Sequence, residues 1–341
     1  MKKEKATIHD IARKLNVTAS TVSRALKDHP RISAETKSAV LKAARKLNYQ
    51  PNNIAAALRN GKSNIIGVIV PMADRTFFSS VIRGIEEIAN ASHYQVIICQ
   101  TYDSYEKELA TVDALLNSRV DGIIASHAKE TVNFDHWYKV KEKGIPIVLF
   151  DRSNDELGVS HVVVDDFLGS FKATEHLIQQ GCKRIAHFTN TLKISIYRER
   201  LRGYREALLQ NGLKYDESLV VASNLQLEDG RSSMQYLLDN NIKIDGLFSA
   251  SAFGVLGAMQ ILKENGYRVP EDVALVGFTN EPYTSFTTPS LSVVDQHSMR
   301  MGNAAAEIFL QELASKDKKF IPQKIVLNPE LVIRESSVRK K

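Results

Sequence analysis

Only two cysteines, Cys99 and Cys182, occur in the 341 residues. Both lie in or beside apolar stretches, with no CxxC spacing and no accompanying histidine cluster. That excludes a disulfide framework or a structural zinc site and fits a reducing compartment. Both are expected to be buried, inert thiols. No apolar run approaches the roughly 18–20 residues that span a bilayer; the longest, near Ile65–Val70, is strand-sized. The opening MKKEKATIHD has neither an apolar core nor a small-residue cleavage site, so no secretory signal is expected and the cytoplasm is the expected location. No GxGxxG, GxSxG or HExxH occurs, and the nine histidines are scattered. Asn60-Gly61-Lys62-Ser63 resembles the end of a phosphate-binding loop, but Ala56 stands where that motif needs a glycine. Ser336–Lys341 has no leucine heptad, so no coiled-coil tail is indicated. No catalytic constellation, metal site or cofactor is expected.

Charge is present, and unevenly. Residues 1–62 carry 14 Lys and Arg against 4 Asp and Glu, a net of +10, whereas the whole chain is +6. A basic head on a mildly acidic body points to a polyanion partner for the head alone. Thr7 can cap a helix whose Asp10 returns the capping-box bond, and Ile8, Ile11, Ala12 and Leu15 then form one apolar stripe. Asn16-Val17 breaks the pattern. Thr18 caps a second helix that turns Val22 and Leu26 inward and Ala19, Ser20, Ser23, Arg24 and Lys27 outward. A third helix starts near Ser33, buries Val40, Leu41, Ala44 and Leu47, and stops before Pro51. Two short helices joined by about three residues make a helix-turn-helix. The short polar face of its second helix can enter a major groove and offer an Arg fork to guanine.

From Asn64 onward, apolar strand-length runs alternate with helix-period segments. Strands are predicted at Ile65–Val70, Gln95–Gln100, Val120–Ser126, Ile145–Asp151, His161–Asp166, Arg184–Thr189, Leu219–Ser223, Gly246–Ser251 and Val273–Phe278. Helices are predicted at Phe78–Ala91, Tyr105–Ser118, Phe167–Gln180 and Ala252–Asn265. Continuous apolar strands separated by helices argue for parallel sheets covered on both faces. The pattern repeats in two halves, so the expected body is α/β, with two doubly wound lobes and a ligand site beyond the strand C-termini, in the cleft.

Three strings carry a family resemblance: Thr7-Ile8-His9-Asp10-Ile11-Ala12, Val17-Thr18-Ala19-Ser20-Thr21-Val22-Ser23-Arg24-Ala25-Leu26, and Leu47-Asn48-Tyr49-Gln50-Pro51-Asn52. Together they resemble the head of the lactose/galactose-repressor family of bacterial transcription regulators, and the likeness continues less specifically to about Glu335. It implies that Ala19, Ser20 and Arg24 face bases and that Thr21 and Ser23 sit near phosphates. Asn52–Asn60 would be a hinge helix whose Leu58 wedges into the minor groove. With Thr7, Asn52 and Ala55 these make the expected DNA-contact set. The family's body resembles a periplasmic sugar-binding protein and implies three chain crossings, near His161–Val164, Leu291–Asp295 and Pro322–Lys324. The expected division is a head at 1–50, a hinge and linker at 51–63, an effector and dimerisation domain at 64–335, and a tail at 336–341. Within that domain one lobe spans 64–161 and 293–321, the other 162–292 and 322–335.

Effector candidates sit at strand ends: Phe77 and Phe78 after the first strand and Asp151-Arg152 after the fourth. Arg200 lies in a segment resembling the one whose Arg grips the family's effector. Aromatic faces stack on sugar rings, and Asp or Arg takes paired hydroxyls. The chain departs from the family where acidic residues often stand, having Ser251-Ala252 and Thr279-Asn280 instead. Leu225 replaces a frequent aromatic. Ser251, Thr279 and Asn280 are therefore the candidate neutral contacts. Lost carboxylates and the run Lys193, Arg198, Arg200 suit a sugar acid, a sugar phosphate or a differently gripped oligosaccharide better than a neutral hexose. The expected molecule is a regulator, a repressor of carbohydrate-utilisation genes, that binds double-stranded operator DNA as a homodimer under control of a small sugar-like effector. It is expected neither to be an enzyme nor to enter a membrane. The alternative is a small-molecule binding protein without operator-specific function; operator binding with and without sugars separates the two.

Overall fold

The computed structural model describes residues 6–49, 62–315 and 320–339. The chain divides into two compact units, residues 1–63 and 64–341.

In the first unit, helix α1 (Ile8–Leu15) starts where the N–H and hydroxyl of Thr7 donate to the Asp10 carboxylate at 2.8 and 2.7 Å. It ends at Asn16, which takes the left-handed conformation (φ 49°) that asparagine tolerates. Helix α2 (Ala19–Leu26) is capped by Thr18, whose hydroxyl accepts from the Thr21 N–H at 3.1 Å. Ser33 caps α3 (Ala34–Lys46) in the same way. Ile11, Ala12, Val22, Ala25, Val40, Ala43 and Ala44 form the core, with Leu26 and Leu47 half-buried against it. Leu41, expected inside, is 46% exposed. The inward stripe is Val40, Ala43, Ala44 and Leu47, spaced i, i+3, i+4, i+7, and Leu41 falls off it.

The second unit holds two six-stranded sheets. The first lobe contains β1 (Ile65–Val70), α4 (Thr76–Ala91), β2 (Gln95–Gln100), α5 (Tyr105–Asn117), β3 (Gly122–Ala125), α6 (Asp135–Glu142), β4 (Ile147–Phe150) and β5 (Ser160–Val164). The second contains α7 (Asp166–Gln179), β6 (Ile185–Thr189), α8 (Ser195–Gln210), β7 (Val220–Ala222), α9 (Leu227–Asp239), β8 (Gly246–Ser249), α10 (Ala252–Glu264), β9 (Ala274–Phe278) and β10 (Ser292–Asp295). The chain returns to the first lobe with α11 (Ser298–Ala314) and β11 (Lys324–Leu327), then ends in the second with β12 (Glu330–Val332). The sheet orders are β11-β5-β4-β3-β1-β2 and β12-β10-β9-β8-β6-β7. Every pairing is parallel except β10 with β12. Two apolar clusters cover the faces of each sheet, which is why β1, β3, β4 and β9 read as unbroken apolar runs.

The lobe boundaries differ from the expected ones. β5 and β11 belong to the first sheet and β10 to the second, so the crossings follow these strands, at Asp165, at 296–297 and at 328–329. Each crossing strand completes its backbone hydrogen bonds in one sheet before leaving it; β5 and β10 are interior strands that cannot abandon their ladders midway, and the edge strand β11 pairs along its length with β5. Residues 336–339 are not a free tail. The Ser336 and Ser337 side chains are buried; Ser336 donates to the Leu275 carbonyl at 2.8 Å, and Ser337 meets Ser292 at 2.6 Å and His176 at 2.8 Å. Cys182 is buried, and burial pushes its thiol up to about 12. Cys99 is only half-buried because β2 is an edge strand, though burial still raises its thiol. Among the described residues no helix is long and apolar enough to cross a membrane.

Candidate functional site

On α2, Ser20, Arg24 and Lys27 are exposed, and Thr21 and Ser23 are half-buried. Thr18 does more than cap: its hydroxyl lies 2.8 Å from that of Ser20 and 2.9 Å from that of Thr21, fixing two polar groups on this face. The head's ion pairs, Arg13 with Asp10 and Lys37 with Asp28, leave out Arg24, so its guanidinium is unpaired among the described residues. Ala19 packs partly against the core and shows less of its methyl than expected. Thr7 is exposed, with its hydroxyl committed to Asp10. Asn52, Ala55 and Leu58 lie outside the described residues.

In the second unit a cavity of about 120 Å³ opens between the two sheets, at their strand C-termini. Phe77, Phe78, Asp151, Arg200, Ser251 and Thr279 all line it. Phe77 and Phe78 are mainly core residues, set edge to face at 5.0 Å. Asp151 follows β4 in a left-handed conformation (φ 59°) that turns its carboxylate inward, where burial raises it against the pull of Arg152 and Arg200. Its Oδ2 lies 3.9 Å from Nε of Arg152, and that Nε has no hydrogen-bond partner among the described residues. The other end of Arg152 is fixed, donating to the Asp103 carboxylate and to the His127 carbonyl at 3.2 Å. Burial alone would raise Asp103, but Arg152 and Lys129 together hold it below its ordinary value.

Arg200 is buried, not a surface helix charge. Its Nε donates to Asp166 Oδ1 at 2.7 Å, with Nη2 also 2.7 Å from that oxygen, its Nη1 donates to the Ala250 carbonyl at 2.9 Å, and the guanidinium lies 3.7 Å over the Phe278 ring. Burial pushes the Asp166 carboxyl upward, and Arg200 is the main opposing influence. The segment 126–134 that carries Lys129 is fixed from below by Glu108. This fully buried carboxylate accepts from Ala128 N at 2.5 Å, Thr131 at 3.0 Å, His136 at 2.7 Å and Trp137 at 3.1 Å.

Two expectations need correction, Asn280 and the cationic run, while Ser251 and Thr279 line the cavity with hydroxyls already engaged. Asn280 does not line the cavity: its amide donates to Asp295 at 2.9 Å and accepts from Arg334 at 2.9 Å, a partner 54 residues away. The Ser251 hydroxyl is committed, donating to the Leu225 carbonyl at 3.1 Å and accepting from the Phe253 N–H at 3.2 Å. Thr279 likewise donates to Gln296 at 2.7 Å. Lys193 and Arg198 line an adjoining outer groove of about 940 Å³, which shares Lys129, Asp151 and Ile196 with the cavity, and do not line the cavity itself with Arg200. The cavity residues that sequence reasoning missed are Arg75, Asp103, Lys129, Tyr197, Gln226, Phe253, Glu281 and Gln296. Arg75, Asp103, Lys129 and Gln226 lie in turns or bends, where no apolar period marks them, whereas Tyr197 and Phe253 are on helices and Gln296 directly follows β10. Among the described residues no group of three or more His, Cys, Asp or Glu could hold a metal ion.

Comparison with known proteins fits both units. Residues 7–52 match the family described as bacterial regulatory proteins, lacI family, and residues 63–328 match periplasmic binding proteins and sugar binding domain of LacI family. The chain is 30% identical over 331 residues to the ribose operon repressor of Halalkalibacterium halodurans, covering 97% of each chain. It is 31% identical over 334 residues to the HTH-type transcriptional regulator DegA of Bacillus subtilis, covering 98% of each. Among solved structures it resembles the transcriptional regulator CelR–cellobiose complex, with a TM-score of 0.74 and 28% identity over 97% of this chain and 99% of that one. Its fold also matches the lac repressor dimer bound to operator and the anti-inducer ONPF, with a TM-score of 0.87 and 24% identity over 98% and 100%. A basic helix-turn-helix head and a two-lobed α/β body with a polar cavity thus agree with the family matches: the chain belongs to the LacI family of DNA-binding transcription regulators.

Proposed function

We propose that this chain represses genes of carbohydrate use in the cytoplasm, as a homodimer on a near-palindromic operator, under control of a polyhydroxylated effector bound between the lobes. The observation that carries the DNA-binding role is the exposed Arg24 beside Ser20 on α2, unpaired among the described residues, which suits bidentate reading of a guanine edge. In this reading Ala19 joins them at the bases. Thr7, Thr21 and Ser23 approach phosphates, and Asn52, Ala55 and Leu58 act from the hinge. Exposed Ile97 and Ile98 on the edge strand β2 and exposed Phe286 supply apolar surface for a second copy.

For the effector, the supporting feature is the adjacent pair of Asp151, an acceptor, and Arg152 Nε, a donor without a hydrogen-bond partner among the described residues. Neighbouring hydroxyls on one ring can serve both at once. Arg200 is matched by Asp166, Arg152 by Asp103 and Asp151, and Lys129 by Asp103, so these three cations do not by themselves require an anion. The ribose and cellobiose of the relatives' names are of this polyhydroxylated class. The test has two stages. Genomic fragments retained by the purified protein are sequenced to find the operator. Fluorescence anisotropy on that operator is then run against neutral sugars, sugar acids and sugar phosphates. A saturable shift of operator affinity by one of these supports the reading. Retention of random fragments with no shared sequence overturns the operator-specific role.

A further inference from the structure

Arg75 is the residue before α4 in the first lobe, yet its side chain ends in the second. Its guanidinium lies 4.1 Å over the ring of Phe253, on α10, and its Nη2 donates to Oε1 of Gln226, the residue that precedes α9. All three line the cavity. Lys129, Arg152 and Arg200 each have a carboxylate within 4 Å; Arg75 has none among the described residues. Its hold on the far wall is therefore a stacked face and one hydrogen bond to a neutral amide. That far wall is stiff. A Cβ at Gly230 would lie 2.2 Å from the Gly254 carbonyl oxygen, and one at Gly257 would lie 2.1 Å from that of Leu227, so α9 and α10 touch backbone to backbone. Gln226 and Phe253 are thereby presented as one edge. Elsewhere across the cleft, Lys129 Nζ only approaches the Tyr197 ring, at 6.0 Å.

We infer that Arg75 is a positioning residue for lobe closure: it latches the first lobe to the α9–α10 edge of the second without any ligand, and so sets the resting closure of the cleft. The inference deepens the effector-site reading and rests on it for its consequence. A ligand entering the cavity must either accept from Arg75 in place of Gln226 or leave the latch intact beside it. A guanidinium can make this link and an ammonium cannot, because only a planar group stacks on the ring while donating in its own plane.

Hydrogen exchange on the full-length, ligand-free protein tests it. The variants are Arg75→Ala, Arg75→Lys, Gln226→Ala and the Arg75→Ala/Gln226→Ala double. Each single variant should speed exchange roughly three- to tenfold in peptides covering 71–78, 223–229 and 250–254, on both lobes, while the strand cores 65–70 and 185–189 stay as slow as in the parent. The double should match Arg75→Ala at 71–78 and 250–254, away from the α9 start that Gln226 also caps, since there both substitutions break one link. Unchanged exchange at 223–229 and 250–254 in Arg75→Ala overturns the latch. So does faster exchange spread evenly through both cores, or a double whose effect is the product of the singles. The measurement uses neither DNA nor effector, so a protein that failed to bind an operator would leave this result standing.

Discussion

The head and the body expose their chemistry in opposite ways. In the head, the polar groups of α2 stand on the surface over a small aliphatic core, and caps such as Thr18 and Ser33 do the ordering locally. In the body, the charges that shape the cavity are buried, and each is held by a partner far away in sequence: Arg200 by Asp166, Arg152 by Asp103. A surface charge can be removed with little cost to the fold, whereas a buried charge cannot be removed without stranding its partner. Function and stability are thus separable in the head and entangled in the body.

The sharpest break of that contrast is Arg200→Ala. It leaves Asp166 buried and uncompensated, and should cost the body about 3–5 kcal/mol in urea unfolding. Replacing both partners, as Arg200→Met with Asp166→Leu, should restore most of the stability while leaving the effector response absent. An Arg200→Ala protein as stable as the parent would mean the pair is not an entangled one. His187 tests the same point through pH. It is stacked between Tyr204 and Phe248, donates from Nδ1 to the Phe248 carbonyl at 3.0 Å, and is pushed down to about 3, chiefly by burial. The unfolded chain takes up this proton below its ordinary 6.5 and the native chain does not. Stability should therefore fall as pH drops from about 6.5 toward 3. His187→Phe should flatten that part of the slope in unfolding curves taken across the range.

In the head, Arg24→Ala should cost about 1–3 kcal/mol of operator binding, much less on random DNA, and leave thermal unfolding unchanged. Equal losses on both DNAs would make Arg24 a phosphate contact. Smaller still, Thr18→Ala should cost roughly 1 kcal/mol of head stability as a lost cap. Because Thr18 also orients Ser20, operator affinity should fall alongside it. A variant that loses stability while retaining full affinity would separate the two roles.

What could be read in advance divides along the same line. The strands Ile65–Val70 and Gln95–Gln100 were visible from their apolar runs, and the three head helices from caps and stripes within a few residues of one another. The late strands were not: β11 spans four residues and β12 three, too short to stand out, and the crossings expected on β5 and β10 and just before β11 instead follow those strands. Asp151 and Phe77 were legible because strand ends in parallel sheets face a cleft. Asn280 shared that position and misled, because Arg334, which claims its amide, arrives from β12's end of the chain. Arg75 and Asp103 sit in turns, and nothing local marks a side chain whose partner is on the other lobe or 49 residues on.

The interleaved course of the chain also has a consequence for its birth on the ribosome. The head is complete by residue 49 and can fold as soon as it emerges. Neither lobe has that freedom. The first sheet lacks an edge until β11 is made, and the second lacks β12 and the buried Ser336 and Ser337 until later still. From its own synthesis until that of β11, β5 is therefore an open edge waiting for a parallel partner, and β10 waits more briefly for its antiparallel partner β12; such open edges are the surface on which nascent chains aggregate. The last fifteen or so residues close both lobes almost together, so a nascent body passes from unfinished to whole in one short step of synthesis.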